Sequence, residues 1–414
     1  MADDVYIVGI AMTRLGKFPA RSVKDLTGEA VLGALADARC GLSDIGAAWF
    51  SNTRQGMMEG QNAIRGQCAL RPLGFGGIPI TNVENACASA STGLREAYAH
   101  LRAGTCDVAL VAGADKMFFP EQKEQMFRAF LGGADVHLLD ATCAWLAEIG
   151  RGAGPGEPPA EGVSVHSFFM DYYAAMARMH MRLFGTTERQ IAAAAAKNHF
   201  HSTLNPLSQY RDEMSVEQVL ADQPVKWPLT RSMCAPISDG AAAAVVCHAR
   251  ALHRFDGARA VRVAGIALAS SSDRDAEDYE RHVGRVAALQ AYEAAGVGPA
   301  DIDVAEVHDA CSFAEIVQTE NMGFCERGAG GPLAERGETR LGGRIPVNPS
   351  GGLVSKGHPV GATGLVQIHE LVTQLRAEAG KRQVEGARLA LAENGGGFWG
   401  VEEAATTVTI LMAP

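Results

Sequence analysis

The sequence has no CxxC pair and no histidine placed to complete a zinc site with cysteine, although it contains nine cysteines. An odd number of scattered thiols argues against a disulfide frame and a structural metal, so no metal and a reducing, cytoplasmic compartment are expected. Also missing is any apolar run near the roughly 18 residues that a membrane helix needs. The first residues are acidic and run straight into a strand-like segment, and the last four, LMAP, are not a peroxisomal address, so no signal peptide, anchor or membrane association is expected. Positive charge is in deficit, with 37 Lys and Arg against 47 Asp and Glu and a net charge of −10. That balance argues against a polyanion-binding surface and hence against nucleic acid as a partner. Finally, the Gly-rich stretch GRGAGPGE (150–157) lacks both a preceding strand and the Lys-Ser/Thr ending of a phosphate loop, and a mobile loop is expected there.

What the chain does have is length and apolar content: 414 residues, 47% hydrophobic and 20% charged. That suffices for a large core in two domains, or in one domain of two parts. VYIVGIA (5–11) reads as a buried strand. In residues 22–52 a helix capped by Ser22 leads through the break CGLSDI to a second strand. Another helix follows Cys87, and DVALVAGAD (107–115) returns to strand. Strand and helix alternate, which places the chain in the α/β class with a buried sheet. Residues 118–230 break the rhythm and read as an inserted lid or loop region. Within them FFMDYYAAMARMHMRLFG (168–185) spaces methionines and aromatics as a packed helix does.

The second half repeats the first. VRVAGIALASS (261–271) parallels VYIVGIAMTRL (5–15), and residues 285–309 parallel the first helix and second strand. GATGL (361–365) lies over ASTGL (90–94), an offset of 271 that also sets His358 over Cys87. Cys87 stands at a strand-to-helix junction, where free amides and the helix dipole favour thiolate. A buried thiol acting as a small hydrophobe is the competing reading. If a pseudo-twofold relates the halves, the thiol and the imidazole point into one crevice.

Four stretches now bear on family: NPSGGLVSKGHPVGATG (348–364), ENACASA (84–90), SDGAAA (238–243) and NGGGFWG (394–400). In their order and spacing the chain resembles the thiolase family. Its EVHD run (306–309) is similar to that of the sterol-carrier-linked thiolases and their archaeal relatives. The resemblance implies a five-layer αβαβα fold of two similar halves, with 1–117 and 231–255 in the first, 256–414 in the second, and 118–230 as the inserted loop domain. It implies a homodimer or homotetramer, and a small zinc-ribbon/OB-fold partner protein is a further expectation. Coenzyme A and acyl-CoA enter as substrates, with no permanently bound cofactor.

Residue by residue, the resemblance makes Cys87 the nucleophile and His358 the group that takes its proton and later helps hold the thioester oxygen. His308 donates to the enolate oxygen, and the backbone N–H of Gly396 joins that of Cys87 in an oxyanion hole. Ala235 and Pro236 are expected along the pantetheine arm of CoA. Asn394 stands where many thiolases carry a second cysteine that deprotonates the α-carbon, and an amide cannot take a proton. Cys311 lies one place beyond the cysteine of the sterol-carrier-linked group and divides evenly between a catalytic role and packing; His308 or His358 can supply the proton transfer instead. The implied reaction is acyl transfer through acyl-Cys87, to CoA in thiolysis or to a second acyl-CoA in Claisen condensation. Two alternatives stay open: transfer to a non-CoA carbon acceptor such as an aromatic ring, and a non-catalytic acyl-CoA-binding subunit. A ketoacyl synthase and a retro-aldolase fit the motifs less well.

Overall fold

Strands covered on both faces need apolar residues at every position, and the strands of this chain are built that way. The computed structural model describes residues 3–152 and 166–414. The loop expected at 150–157 therefore falls mostly outside the described residues. In the first half β1 (Val5–Met12) leads to α1 (Val23–Ala38), β2 (Ala47–Ser51), β3 (Ile80–Val83), α2 (Ser89–Arg102) and β4 (Val108–Asp115). Ser22 caps α1 in a capping box with Asp25. After a long excursion containing α3 (Phe168–Phe184) and α4 (Glu188–Thr203), β5 (Gly240–His248) completes this half. The second half contains β6 (Val261–Ser270), α5 (Val283–Ala295), β7 (Val304–Glu306), α6 (Ser312–Asn321), α7 (Thr363–Leu375), β8 (Leu389–Gly396) and β9 (Ala405–Met412).

The strands are ordered β3-β2-β4-β5-β1-β6-β9-β8-β7. Read outward from the β1–β6 seam, the two halves correspond strand for strand, β1 to β6, β5 to β9, β4 to β8 and β2 to β7. Where a counterpart of β3 would lie, Val347 makes a single parallel bridge to Ala305. The seam itself is thin, with only Tyr6 opposite Arg262 and Ile7 opposite Val261.

Side chains alternate between faces along each strand, and the core divides accordingly. Val8, Leu110 and Val245 face α1 on one side of the first half. Val5, Val111 and Val246 face inward, onto a layer made of α2 and α7. On the second half Val263 and Ala390 meet that same layer, while Leu391, Val408 and Ile410 pack under α5. The result is five layers, helix–sheet–helix–sheet–helix. Leu94, Leu101, Leu365 and Leu371, all fully buried in the middle layer, each contribute on the order of 2 kcal/mol of apolar burial.

The excursion leaves the sheet after Asp115 and returns at Gly240. Asp239 pins both ends: its carboxylate accepts from the backbone N–H groups of Met117 (2.7 Å), Phe118 (2.8 Å) and Phe18 (2.8 Å) and pairs with Lys116 (3.4 Å). The Met and Tyr stripe of α3 is buried in a cluster with Phe313 and Phe398. No helix among the described residues is long and apolar enough to cross a membrane.

Candidate active site

Small residues make a sharp elbow before α2. Ala86 takes a left-handed backbone (φ 48°), and the N–H of Ala88 returns to the carbonyl of Asn85 (3.0 Å). Cys87 sits in that turn, half-buried. The end of β8 closes on it from the other half. A Cβ on Gly396 would stand 2.1 Å from Asn85 O and 2.5 Å from Ala88 N, so only glycine allows this approach. The neighbouring N–H of Gly397, whose φ is 67°, is the one hydrogen-bonded to the sulfur.

Burial dominates the thiol. It pushes Cys87 up to about 12, while the Arg54 guanidinium and the Gly397 N–H pull the other way. The resting group is therefore a thiol. The helix-end expectation of a ready thiolate is corrected here, because Cys87 precedes the first turn of α2 and the cost of dehydrating a charge outweighs the dipole. Attack then requires a base at the sulfur.

The equivalent elbow before α7 supplies one. The N–H of His358 donates to Ser238 Oγ (2.9 Å), fixing the backbone. Thr363 Oγ1 gives its only proton to Pro359 O (3.0 Å), so it accepts from His358 Nδ1–H (2.7 Å). The proton is thereby assigned to Nδ1, which leaves Nε2 as a bare acceptor. Burial, with His308, Arg54 and Lys356 nearby, holds His358 well below the ordinary imidazole value. It is neutral, the form that takes a proton.

His308 follows β7, its N–H donating to Glu393 Oε2 (2.8 Å). Asn394 Nδ2, which can only donate, lies 2.9 Å from His308 Nδ1, and Ser91 Oγ, whose one proton is shared between Asn394 Oδ1 (2.8 Å) and Ala88 O (2.9 Å), faces the other end of the amide. With the amide in this orientation His308 carries its proton on Nε2. Burial lowers it to about 3, so it too is neutral. The two rings stand 5.2 Å apart at 84°, and the Cys87 sulfur and one nitrogen of each imidazole lie within 4.8 Å of one another. One imidazole accepts, the other donates, and the thiol completes the triangle. Among the described residues this is also the one group close enough to hold a metal ion.

Asn394, where a second cysteine was expected, is thus the hydrogen-bond partner of His308. Cys311 is fully buried in the cluster with Phe313 and Met176, and its sulfur accepts the N–H groups of Phe313 and Ala314. The cavity wall includes Ala310 and passes Cys311 by. That cavity, about 620 Å³, is lined by Cys87, His308 and His358 together with Ala235, Pro236 and Gly396. Met117, Phe130, Met170 and Tyr173 make most of the rest apolar, and Lys17 and Arg231 add positive charge. The sequence reading missed Thr363, Ser91 and Glu403. Thr363 could have been found, since the repeat pairs it with Thr92; nothing in the sequence singled out the other two.

The family Thiolase, N-terminal domain, matches residues 5–225, and Thiolase C-terminal domain-like matches 265–411. The chain belongs to the thiolase family. Acetyl-CoA acetyltransferase of Methanothermobacter thermautotrophicus is 38% identical over 399 residues, covering 96% of this chain and 97% of that protein. Sterol carrier protein 2 of Homo sapiens is 36% identical over 407 residues, covering 94% of this chain and 69% of the relative. Among solved structures, the Ltp2-ChsH2(DUF35) aldolase superposes with a TM-score of 0.76 at 23% identity, covering 99% of this chain and 98% of that one. That likeness bears on the thiolase fold alone. An acetyltransferase so similar over nearly the whole chain supports thiolase-type acyl transfer as the general chemistry.

Proposed function

We propose that the protein is a coenzyme A-dependent acyltransferase that forms an acyl-Cys87 thioester and passes the acyl group to the α-carbon of a second acyl-CoA, or in reverse to CoA. The observation that carries this reading is the opposed pair of imidazole tautomers around one thiol. As Sγ attacks the thioester carbonyl, its proton goes to His358 Nε2, so a thiol held near 12 need never exist as free thiolate. The oxyanion that develops faces a fixed donor, His308 Nε2–H, with backbone N–H groups of the elbow and the β8 end, Gly396 included. CoA thiolate leaves and takes the proton from His358. Ala235 and Pro236, on the cavity wall, would flank the pantetheine arm, and CoA comes and goes as a substrate. A pure binder would need neither tautomer fixed.

A homo-oligomer and a small zinc-ribbon/OB-fold partner belong to the same proposal. Its support is that the solved neighbour combines Ltp2 with a DUF35 protein. The amide at 394 favours a second reading, transfer to a non-CoA carbon acceptor, because Asn394 cannot take the α-proton.

Incubation with acetyl-CoA, digestion and peptide mass spectrometry test the first step. Acetyl is expected on the peptide containing Cys87 and absent in Cys87→Ala, with His358→Ala slowing its appearance about 100-fold. Turnover of acetyl-CoA by Cys87→Ala would overturn the reading. Product from acetyl-CoA alone would exclude the second one.

A further inference from the structure

Asn394 cannot be the proton acceptor of the carbon–carbon step, and besides His308 and His358 the structure holds a carboxyl with one unbonded oxygen on a residue that lines the same cavity. Glu402 and Glu403 are adjacent, buried and unlike. Glu402 is fully engaged, accepting from Arg274 Nε (2.5 Å), Val283 N–H (2.8 Å) and Ser272 N–H (3.1 Å). Glu403, 4% exposed, has one oxygen accepting from Gln318 Nε2 (3.1 Å), while the other, Oε2, has no hydrogen-bond partner. His282 Nε2, on a ring that burial keeps neutral, is 3.8 Å away. An orphaned carboxylate oxygen in the interior costs on the order of 1–3 kcal/mol or more.

Position gives the side chain a use, although Oε2 itself has no exposed surface and it is the residue as a whole that borders the cavity. Glu403 lines the large cavity together with Cys87, His308 and Gly395. It also lines a second cavity of about 30 Å³, shared with Arg274, Tyr279 and His282. Glycine at 395 is what brings it there: a Cβ on Gly395 would lie 2.6 Å from Glu403 Cγ. Glu403 is therefore held against the end of β8 that carries Asn394 and Gly396. The small cavity has room for a water and contains the unpartnered hydroxyl of Tyr279. The side chain thus borders both the reaction space and this smaller cavity.

We infer that Glu403 is the acid/base for the α-carbon of the second acyl-CoA. This rests on the acyl-Cys87 reading above. The Glu403 carboxylate takes an α-proton; the C–H electron pair forms the bond to the acyl carbon on Cys87. The C–S bond breaks with its pair on sulfur, and the proton taken by Glu403 passes by way of His358 or water to Cys87, so both groups are regenerated and the step releases none. In thiolysis the same group returns a proton to the carbanion. The charged and titratable groups around Glu403 are Glu402, Arg274 and His282, with Tyr172 and Tyr173 from α3 and Glu393 from β8. Burial and Glu402 outweigh its own backbone N–H, Arg274 and Gln318 and push it up to about 7, where a base is half-charged at neutral pH.

Exchange of the acetyl hydrogens of acetyl-CoA in D2O, followed by mass spectrometry beside Cys87 acetylation, tests this without knowing the natural acceptor. Wild type should exchange, and Glu403→Gln should lower exchange about 100-fold relative to acetylation. Glu403→Asp, which keeps a carboxylate, should restore part of it. An unchanged ratio in Glu403→Gln overturns the inference, as does a wild type that acetylates Cys87 without exchanging. A wild type that does not acetylate Cys87 overturns the acyl-enzyme reading itself. Should Glu403→Gln fail to fold, the wild-type pH profile decides: exchange rising with one ionisation between about pH 6 and 8 supports Glu403, and a flat profile overturns it.

Discussion

At the scale of single residues, the site depends on which ring nitrogen carries hydrogen, and Asn394 sets this for His308. Replacing Asn394 with Asp keeps the shape and the bond from Ser91 but presents two acceptors. His308 must then donate from Nδ1, and Nε2 becomes a bare acceptor facing the oxyanion. Loss of one oxyanion donor costs about 100-fold or more in kcat. Steady-state kinetics of acyl transfer by Asn394→Asp should show that fall, mainly in kcat; an unchanged kcat would remove Asn394 and His308 from the proposed hole. The thiol and its base were legible in the sequence because the repeat registers them. The tautomer was not, since it rests on Ser91 and Asn394, 303 positions apart in the chain. Cys311 illustrates a different gap. Both residues precede α6, Cys311 in extended backbone that bridges to Cys234, and successive side chains there point to opposite sides, so Cys311 is buried while Ala310 faces the cavity.

At the scale of elements, catalysis depends on β8 reaching the elbow before α2. Gly396→Ala introduces a methyl 2.1 Å from Asn85 O, and since that atom is backbone, strand and elbow must separate. Overpacking of this kind costs about 3 kcal/mol, and the separation also takes the Gly397 N–H away from the sulfur. Gly400→Ala is the comparison: its φ is 62° but no atom lies within 4 Å of the added Cβ, so it costs only the backbone strain of roughly 1 kcal/mol. Thermal unfolding and Cys87 acetylation should both be damaged in Gly396→Ala, and acetylation spared in Gly400→Ala. Equal acetylation in the two would show that the close approach is dispensable. The alternation of helix and strand was readable because both faces of the sheet are covered, which makes each strand continuously apolar. The Gly351-Gly352 turn was readable as a motif but not as a structure. There φ values of 106° and 59° let the backbone pass Asp309, whose Oδ2 would be 2.2 Å from a Cβ on Gly352.

At the scale of the molecule, a net charge of −10 says nothing of the charges that matter, which are inside. Lys356–Glu306, Lys197–Glu315 and Arg274–Glu402 are all buried pairs, and composition does not separate them from surface charge. The buried histidines and Glu403 give the fold opposite pH dependences. His201 and His308 are lowered to about 3, His369 to about 4, and His282 and His358 well below the ordinary value. Each contributes stability that is present above the unfolded value near 6.5 and is lost as pH falls, at about 1.4 kcal/mol per pH unit. Glu403 runs the other way. Its folded value of about 7 lies above the ordinary carboxyl value of 4.5, so its stability is full below the unfolded value and is lost as pH rises toward 7. The neutral Glu403→Gln side chain feels none of this. The stability difference between Glu403→Gln and wild type should therefore grow with pH, from within about 1 kcal/mol near pH 5 to about 3 kcal/mol in favour of the variant near pH 8. Urea unfolding of both proteins at the two pH values measures it. A difference that does not change with pH would mean that Glu403 ionises as an ordinary carboxylate, whereas growth of the predicted size would show the fold keeping, at a cost in stability, the group assigned to the α-proton.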